Sequence, residues 1–235
     1  YMVWSTWPEE QRARMIAAIS PCADWLRTHA ELINASTPRQ DVLVFFPFRN
    51  WVNTKDCAVT KIAQTLTAAN GQYAVVSEEN LSATLNTAKV VLLEDRKVCT
   101  QEETALLSAY EQNGGTCITA TDKDWLKQVQ QATQGGSLQL DAPETVRAVV
   151  RDTKDKTIVF LYNLNMERLS SFEDKVTPVP ASSMKILLPR SGITSVTLSS
   201  PDASVSTSAL EYQAAPADNT VWVECKLPEF ETALL

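Results

Sequence analysis

Five cysteines and a single histidine limit the covalent chemistry open to this 235-residue chain. Cys22, Cys57, Cys99, Cys117 and Cys225 are scattered without a Cys-x-x-Cys pair, and His29 is the one imidazole. A cysteine or serine nucleophile needs a base within hydrogen-bond reach, and a zinc site needs clustered Cys and His ligands. Gly114-Gly115-Thr116-Cys117 places glycines beside a thiol, as a nucleophile elbow does. An elbow, however, carries its nucleophile on the turn after a strand, whereas here the glycines come first and Cys117 falls inside the run Cys117-Ile118-Thr119-Ala120. The sequence therefore assigns Cys117 to a core strand and predicts no catalytic residue, no metal and no cofactor.

The remaining polar candidates follow apolar runs. Arg49, Asn50 and Trp51 come after Val42-Leu43-Val44-Phe45-Phe46, and Glu94 and Asp95, then Arg96, come after Val90-Val91-Leu92-Leu93. Ligands of open α/β sheets bind beyond the strand C-termini, where the strand order reverses. Two carboxylates and an indole there could hold and stack a sugar ring, so Arg49, Asn50, Trp51, Glu94 and Asp95 are the candidate ligand-binding residues. The competing reading is a solvated loop with ion pairs and a rim aromatic, since adjacent carboxylates rarely converge on one scissile bond. No Gly-x-Gly-x-x-Gly or Walker loop follows the first run, which disfavours a nucleotide. His29 reads as a packed residue on the Trp25 side of a helix, and Trp222, Glu224 and Lys226 as the outward face of a strand. The sequons at Asn34 and Asn80 are too common a pattern to locate the protein.

The elements that would position these residues alternate. Pro8 to Ala35 reads as helical with a break at Ser20-Pro21, the second helix carrying Trp25, Leu26, His29, Leu32 and Ile33 on a buried face. Thr54 is expected to cap a helix with Val59, Ile62 and Leu66 on its stripe, and Asn70-Gly71 to end it. A strand follows at Tyr73 to Val76, a short helix through Leu81 and Leu85, and the strand from Val90. Thr100 and Glu103 form a capping box ahead of Leu106, Leu107 and Tyr110, and Asn113-Gly114-Gly115 closes that helix. The strand at Cys117 and a helix with Trp125, Leu126 and Val129 complete the series. Strands separated by helices pair in parallel with right-handed crossovers, so the expectation is a flavodoxin-like doubly wound sheet of order 2-1-3-4. Beyond Gly135-Gly136 the period becomes two, with short strands at Val146–Val150, Thr157–Leu164, Met184–Leu188, Thr194–Ser199, Ala209–Gln213 and Val221–Leu227. That pattern predicts an antiparallel β-sandwich. The expected organisation is a helical lead-in over 1–37, an α/β domain over 38–136 and a sandwich over 137–235.

Composition is that of a folded globular chain, 44% hydrophobic and 21% charged. The formal charge of -7 and the absence of a Lys/Arg cluster disfavour nucleic acid, and no apolar run reaches the roughly 18 residues of a membrane span. Tyr1 precedes Met2, which reads as a piece of something longer.

The order of features resembles the C-terminal accessory region of multidomain glycoside hydrolases, in particular the beta-galactosidase trimerisation domain with its class I glutamine amidotransferase-like relatives, followed by a terminal β-sandwich. Three stretches carry the likeness: Val90 to Leu93 leading through Thr100-Gln101-Glu102-Glu103 to Tyr110–Thr116; Trp25 to Asn34 ahead of Asp41-Val42-Leu43-Val44; and Ile158 to Leu164 with Leu187-Leu188-Pro189, Ser200-Pro201-Asp202 and Leu227-Pro228. The resemblance implies a non-catalytic assembly role, with a catalytic barrel N-terminal to this segment or sister subunits as partners, and a secreted or periplasmic parent. It carries no catalytic residue onto these positions. A carbohydrate-binding module is the second expectation, and a free-standing amidotransferase-like hydrolase, which lacks a histidine in the right place, the third.

Overall fold

The first helix runs unbroken through Pro21. In the computed structural model, which describes residues 7–170, 173–217 and 219–235, α1 spans Glu9–Thr28 with Pro21 inside it. The expected break at Ser20-Pro21 is corrected. Pro21 has no N–H to offer the preceding turn, and just before it the Ser20 hydroxyl donates to the Ile16 carbonyl at 2.7 Å. The chain turns instead at His29, which starts the short α2 (Ala30–Asn34). Neither helix has a buried residue, and Leu26, expected on a buried face, is 48% exposed. A two-residue strand β1 (Thr37–Pro38) follows.

The chain divides into two units, one of them Pro38–Gln139 and the other made of the residues up to Thr37 together with Leu140–Leu235. The helical segment thus groups with the β-rich unit. Long-range hydrogen bonds hold it there: Arg151 donates from Nε to Ser36 Oγ at 2.8 Å and from Nη2 to the Ser36 carbonyl at 2.6 Å. Trp25 Nε1 donates to Ser199 Oγ at 2.7 Å, and its ring meets Phe160 edge-on. Partners this distant in sequence leave no local pattern.

Within Pro38–Gln139 the elements are β2 (Val42–Phe46), α3 (Phe48–Thr54), α4 (Val59–Ala68), β3 (Tyr73–Ser77), α5 (Glu78–Thr84), β4 (Val90–Leu93), α6 (Gln101–Gln112), β5 (Thr116–Thr119) and α7 (Trp125–Ala132). The four strands form a parallel sheet in the order β3-β2-β4-β5. Alternation along the two central strands sorts the core. Val42, Val44, Val90 and Leu92 pack with Val59, Ile62 and Leu66 of α4 and Val129 of α7, while Leu43, Phe45, Val91 and Leu93 pack with Leu81 and Leu85 and with Leu107 and Tyr110 of α6. Helices therefore cover both faces, which is why the central strands read as continuous apolar runs. Each fully buried Leu, Val or Phe side chain contributes about 1.5–3 kcal/mol.

The three helices α4, α6 and α7 end in the same way. Asn70, Gly114 and Gln134 take φ of 54°, 91° and 55°, and the next amide reaches back to Leu66, Tyr110 and Gln130 at 2.9, 3.0 and 2.6 Å. These are Schellman closures. Gly115 is required for a different reason: a Cβ there would meet the Tyr110 ring at 2.2 Å.

The chain then forms β6 (Leu138–Asp141), whose first two residues are the last of the α/β unit, followed in the β-rich unit by β7 (Val146–Asp152), β8 (Thr157–Asn163), β9 (Met166–Ser170), β10 (Glu173–Val176), β11 (Ser182–Leu188), β12 (Val196–Leu198), β13 (Ser208–Leu210), β14 (Tyr212–Ala217), β15 (Thr220–Leu227) and β16 (Ala233–Leu234). Two four-stranded sheets, β1-β7-β8-β16 and β14-β15-β11-β6, are accompanied by the ribbons β9-β10 and β12-β13. β15 alternates as the sequence predicts, with Val221, Val223, Cys225 and Leu227 buried. The ribbon β9-β10 escapes that reading because all of its described residues are exposed.

Candidate functional site

The C-terminal tips of β2 and β4 flank the point where the strand order reverses, and all five candidate residues lie in the first turns beyond them. The segment after β2, expected as a loop, is helix α3. Its Arg49 is bound on two sides. The backbone N–H donates to Glu78 Oε1 at 2.7 Å, and guanidinium Nη2 lies 3.0 and 3.2 Å from the two carboxylate oxygens of Glu103. Glu103 is only 7% exposed, and the same carboxylate accepts the Thr100 N–H at 2.8 Å while Thr100 Oγ1 accepts the Glu103 N–H at 3.2 Å. The capping box read from the sequence thus doubles as the seat for Arg49, and the Glu103 hydrogen bond raises the guanidinium above its ordinary pKa.

Glu94 also has its partner. Its Oε2 accepts the backbone N–H of Ala58 at 2.7 Å, at the residue that caps α4. Thr54, expected as that cap, is instead the last residue of α3, with its hydroxyl donating to the Asn50 carbonyl at 2.9 Å and accepting the Asp56 N–H at 3.1 Å. The correction has a physical cause: a carboxylate at a helix start answers both its free amides and its dipole, and here it comes from the tip of another strand. Asp95 caps the short turn after it by accepting the Lys97 N–H at 3.0 Å. The two adjacent carboxylates therefore serve separate backbone sites.

Trp51 is the exception. It is 38% exposed, with Lys55 Nζ 5.4 Å from its ring centroid, and it lies 6.0 Å from Phe46 and 5.8 Å from Phe48, ring to ring. Asn50 is half-buried beside it. Sequence reasoning missed Phe48, 48% exposed, and Val52, 43% exposed. Their spacing from Trp51 would have marked a helix face, had Phe48–Thr54 been read as helical.

Burial opposes ionisation of the two thiols nearest this sheet. Cys117 is in β5, opposite Val91, and burial, with Glu111 nearby, pushes its thiol up to about 12 against the opposing pull of Arg96. Burial likewise raises Cys99 to about 11. His29 Nδ1 lies 2.8 Å from the Trp25 carbonyl, one turn back on its own helix. Among the described residues no cluster of His, Cys, Asp or Glu forms a metal site, and no helix is long and apolar enough to cross a membrane.

No protein-family model matches the sequence, and no curated protein does. Solved structures give matches of different extent. The alpha-L-fucosidase isoenzyme 2 from Paenibacillus thiaminolyticus matches with a TM-score of 0.65 at 9% identity, over 89% of this chain and 50% of that one. The exo-carrageenase GH42 from Bacteroides ovatus gives 0.42 at 10% identity over 80% and 29%. A cycloisomaltooligosaccharide glucanotransferase from Paenibacillus sp. gives 0.34 at 25% identity over 42% and 16%. The chain spans half or less of each of these structures. The fucosidase likeness shows the fold, which occurs within an alpha-L-fucosidase.

Proposed function

We propose that this chain is a non-catalytic accessory and assembly region of a glycoside hydrolase, packing against a catalytic barrel or a sister subunit, with the α/β unit as the amidotransferase-like, flavodoxin-like member and the β-rich unit as its terminal sandwich. The observation that carries this reading is the engagement of the polar groups at the strand tips. Arg49, Glu94 and Asp95 each hold backbone or a buried carboxylate of their own unit, so the reversal point is built as structure. The fucosidase likeness supports the architectural half of the reading. The test is incubation of the chain with a panel of aryl glycosides and oligosaccharides, following product release and binding together. The expected outcome is no release. Turnover by the chain alone would overturn the reading, and binding without turnover would convert it to a carbohydrate-binding module.

A further inference from the structure

Resting on the assembly reading, a surface and its partner can be named. Phe48, Trp51 and Val52 stand at the spacing of one helix face and are 48%, 38% and 43% exposed. With Phe46 the rings form a mutual cluster at 5.8, 6.0 and 5.8 Å, so Phe48 and Trp51 form a packed ledge with the exposed Val52 on the same face. Neighbouring exposed apolar groups of this kind mark interaction sites.

The charges around the ledge are ordered along α3. At its C-terminal end the Lys55 ammonium stands over Trp51, and the left-handed backbone of Lys55, φ 60°, turns the chain off the helix before Asp56. At its N-terminal end Glu78 holds the Arg49 N–H, with the exposed Glu79 beside it and Arg49 neutralised by Glu78 and Glu103. A positive end, an apolar centre and a negative end follow one another over about 10 Å of helix. Such an order is complementary to itself when one copy is turned end for end: apolar centres meet, and each Lys55 faces the acidic end of the other copy. That is the requirement of an isologous two-fold contact.

We propose that two copies of this chain pair through the Phe48–Trp51–Val52 face of α3 about a two-fold axis near Trp51. Burial of the rings drives the contact and the end charges fix its direction. A seven-residue helix covers less than the roughly 800 Å² per partner of a standard interface, so the pair is weak, with a dissociation constant on the order of micromolar.

Sedimentation velocity from about 1 µM to several hundred µM tests this, on the unaltered chain, Val52→Glu, and Met166→Glu as an exposed control outside the α/β unit. The expected result is a concentration-dependent dimer for the first and third, and at least a tenfold weaker one for Val52→Glu with an unchanged circular dichroism spectrum. A chain monomeric throughout overturns the pairing. A dimer that survives Val52→Glu removes α3 as its surface while leaving assembly, and the glycoside test of the accessory role, untouched.

Discussion

Cys117 shows how a residue type that suggests chemistry is disarmed by its place. The sequence already put it inside a strand, since the glycines precede it, but the cost of ionising it is visible only in the fold. Burial pushes the Cys117 thiol up to about 12, Cys99 to about 11, and the Tyr110 phenol, whose hydroxyl donates to the Ala88 carbonyl at 2.9 Å, to about 12. The ordinary values are 9.0 for the thiols and 10.0 for the phenol. Each group is an acid whose folded pKa is raised, so folding favours the protonated form. That contribution is whole below the unfolded value and is lost as pH climbs through the folded one. The urea midpoint is therefore expected to be level up to about pH 9 and to fall from there toward about pH 11, more shallowly in Cys117→Ala. Chemical denaturation across that range checks it, and a midpoint level to about pH 11 would contradict the burial argument. The sequence also singled out Trp51 and Glu94, and for the same reason: both follow apolar strands. It could not separate the exposed indole from the engaged carboxylate, because the Glu94 partner is 36 residues away.

At the scale of elements, legibility follows the sequence distance between partners. The capping box at Thr100 and Glu103 and the closures at Asn70 and Gly114 join residues three to five apart, and each is read correctly from local pattern. The α4 cap is not, because it is supplied from the tip of β4, and the continuous α1 is not, because Pro21 is tolerated where long-range bonds fix the segment. Helix α3 was hidden by its length, since one apolar triplet in seven residues is too short a run to establish a helical period. The remote cap can be measured. Glu94→Ala removes the acceptor for the Ala58 N–H and the anion at the start of α4, and is expected to cost about 1 kcal/mol, within the range of lost N-caps. Equilibrium unfolding gives the value. Asp95→Ala, which loses an acceptor only in a three-residue turn, is the comparison and is expected to cost less. Equal losses would show that Glu94 does no capping that Asp95 does not.

At the scale of the whole molecule, the α/β unit interrupts the other one, entering after Thr37 and leaving before Leu140. Its ends are not left apart. Asp41 Oδ2 accepts both the Ser137 N–H at 2.9 Å and the Ser137 hydroxyl at 2.8 Å, and Ser137 is 7% exposed. Just before it, Gln134, Gly135 and Gly136 all take positive φ, at 55°, 87° and 78°, the reversal that brings the departing chain back to Asp41. The unit also has a core on each sheet face made wholly of its own residues, and about 100 residues is enough for an independent domain. A fragment of residues 38–139 is accordingly expected to fold alone, with one cooperative thermal transition. In the same fragment Asp41→Ala is expected to lower stability by about 1–3 kcal/mol, because it leaves the buried Ser137 donors without their acceptor. Calorimetry decides both points. A fragment that melts without a cooperative transition would mean that its two cores do not suffice, and an Asp41→Ala fragment as stable as its parent would mean that the clasp only records where the ends happen to meet.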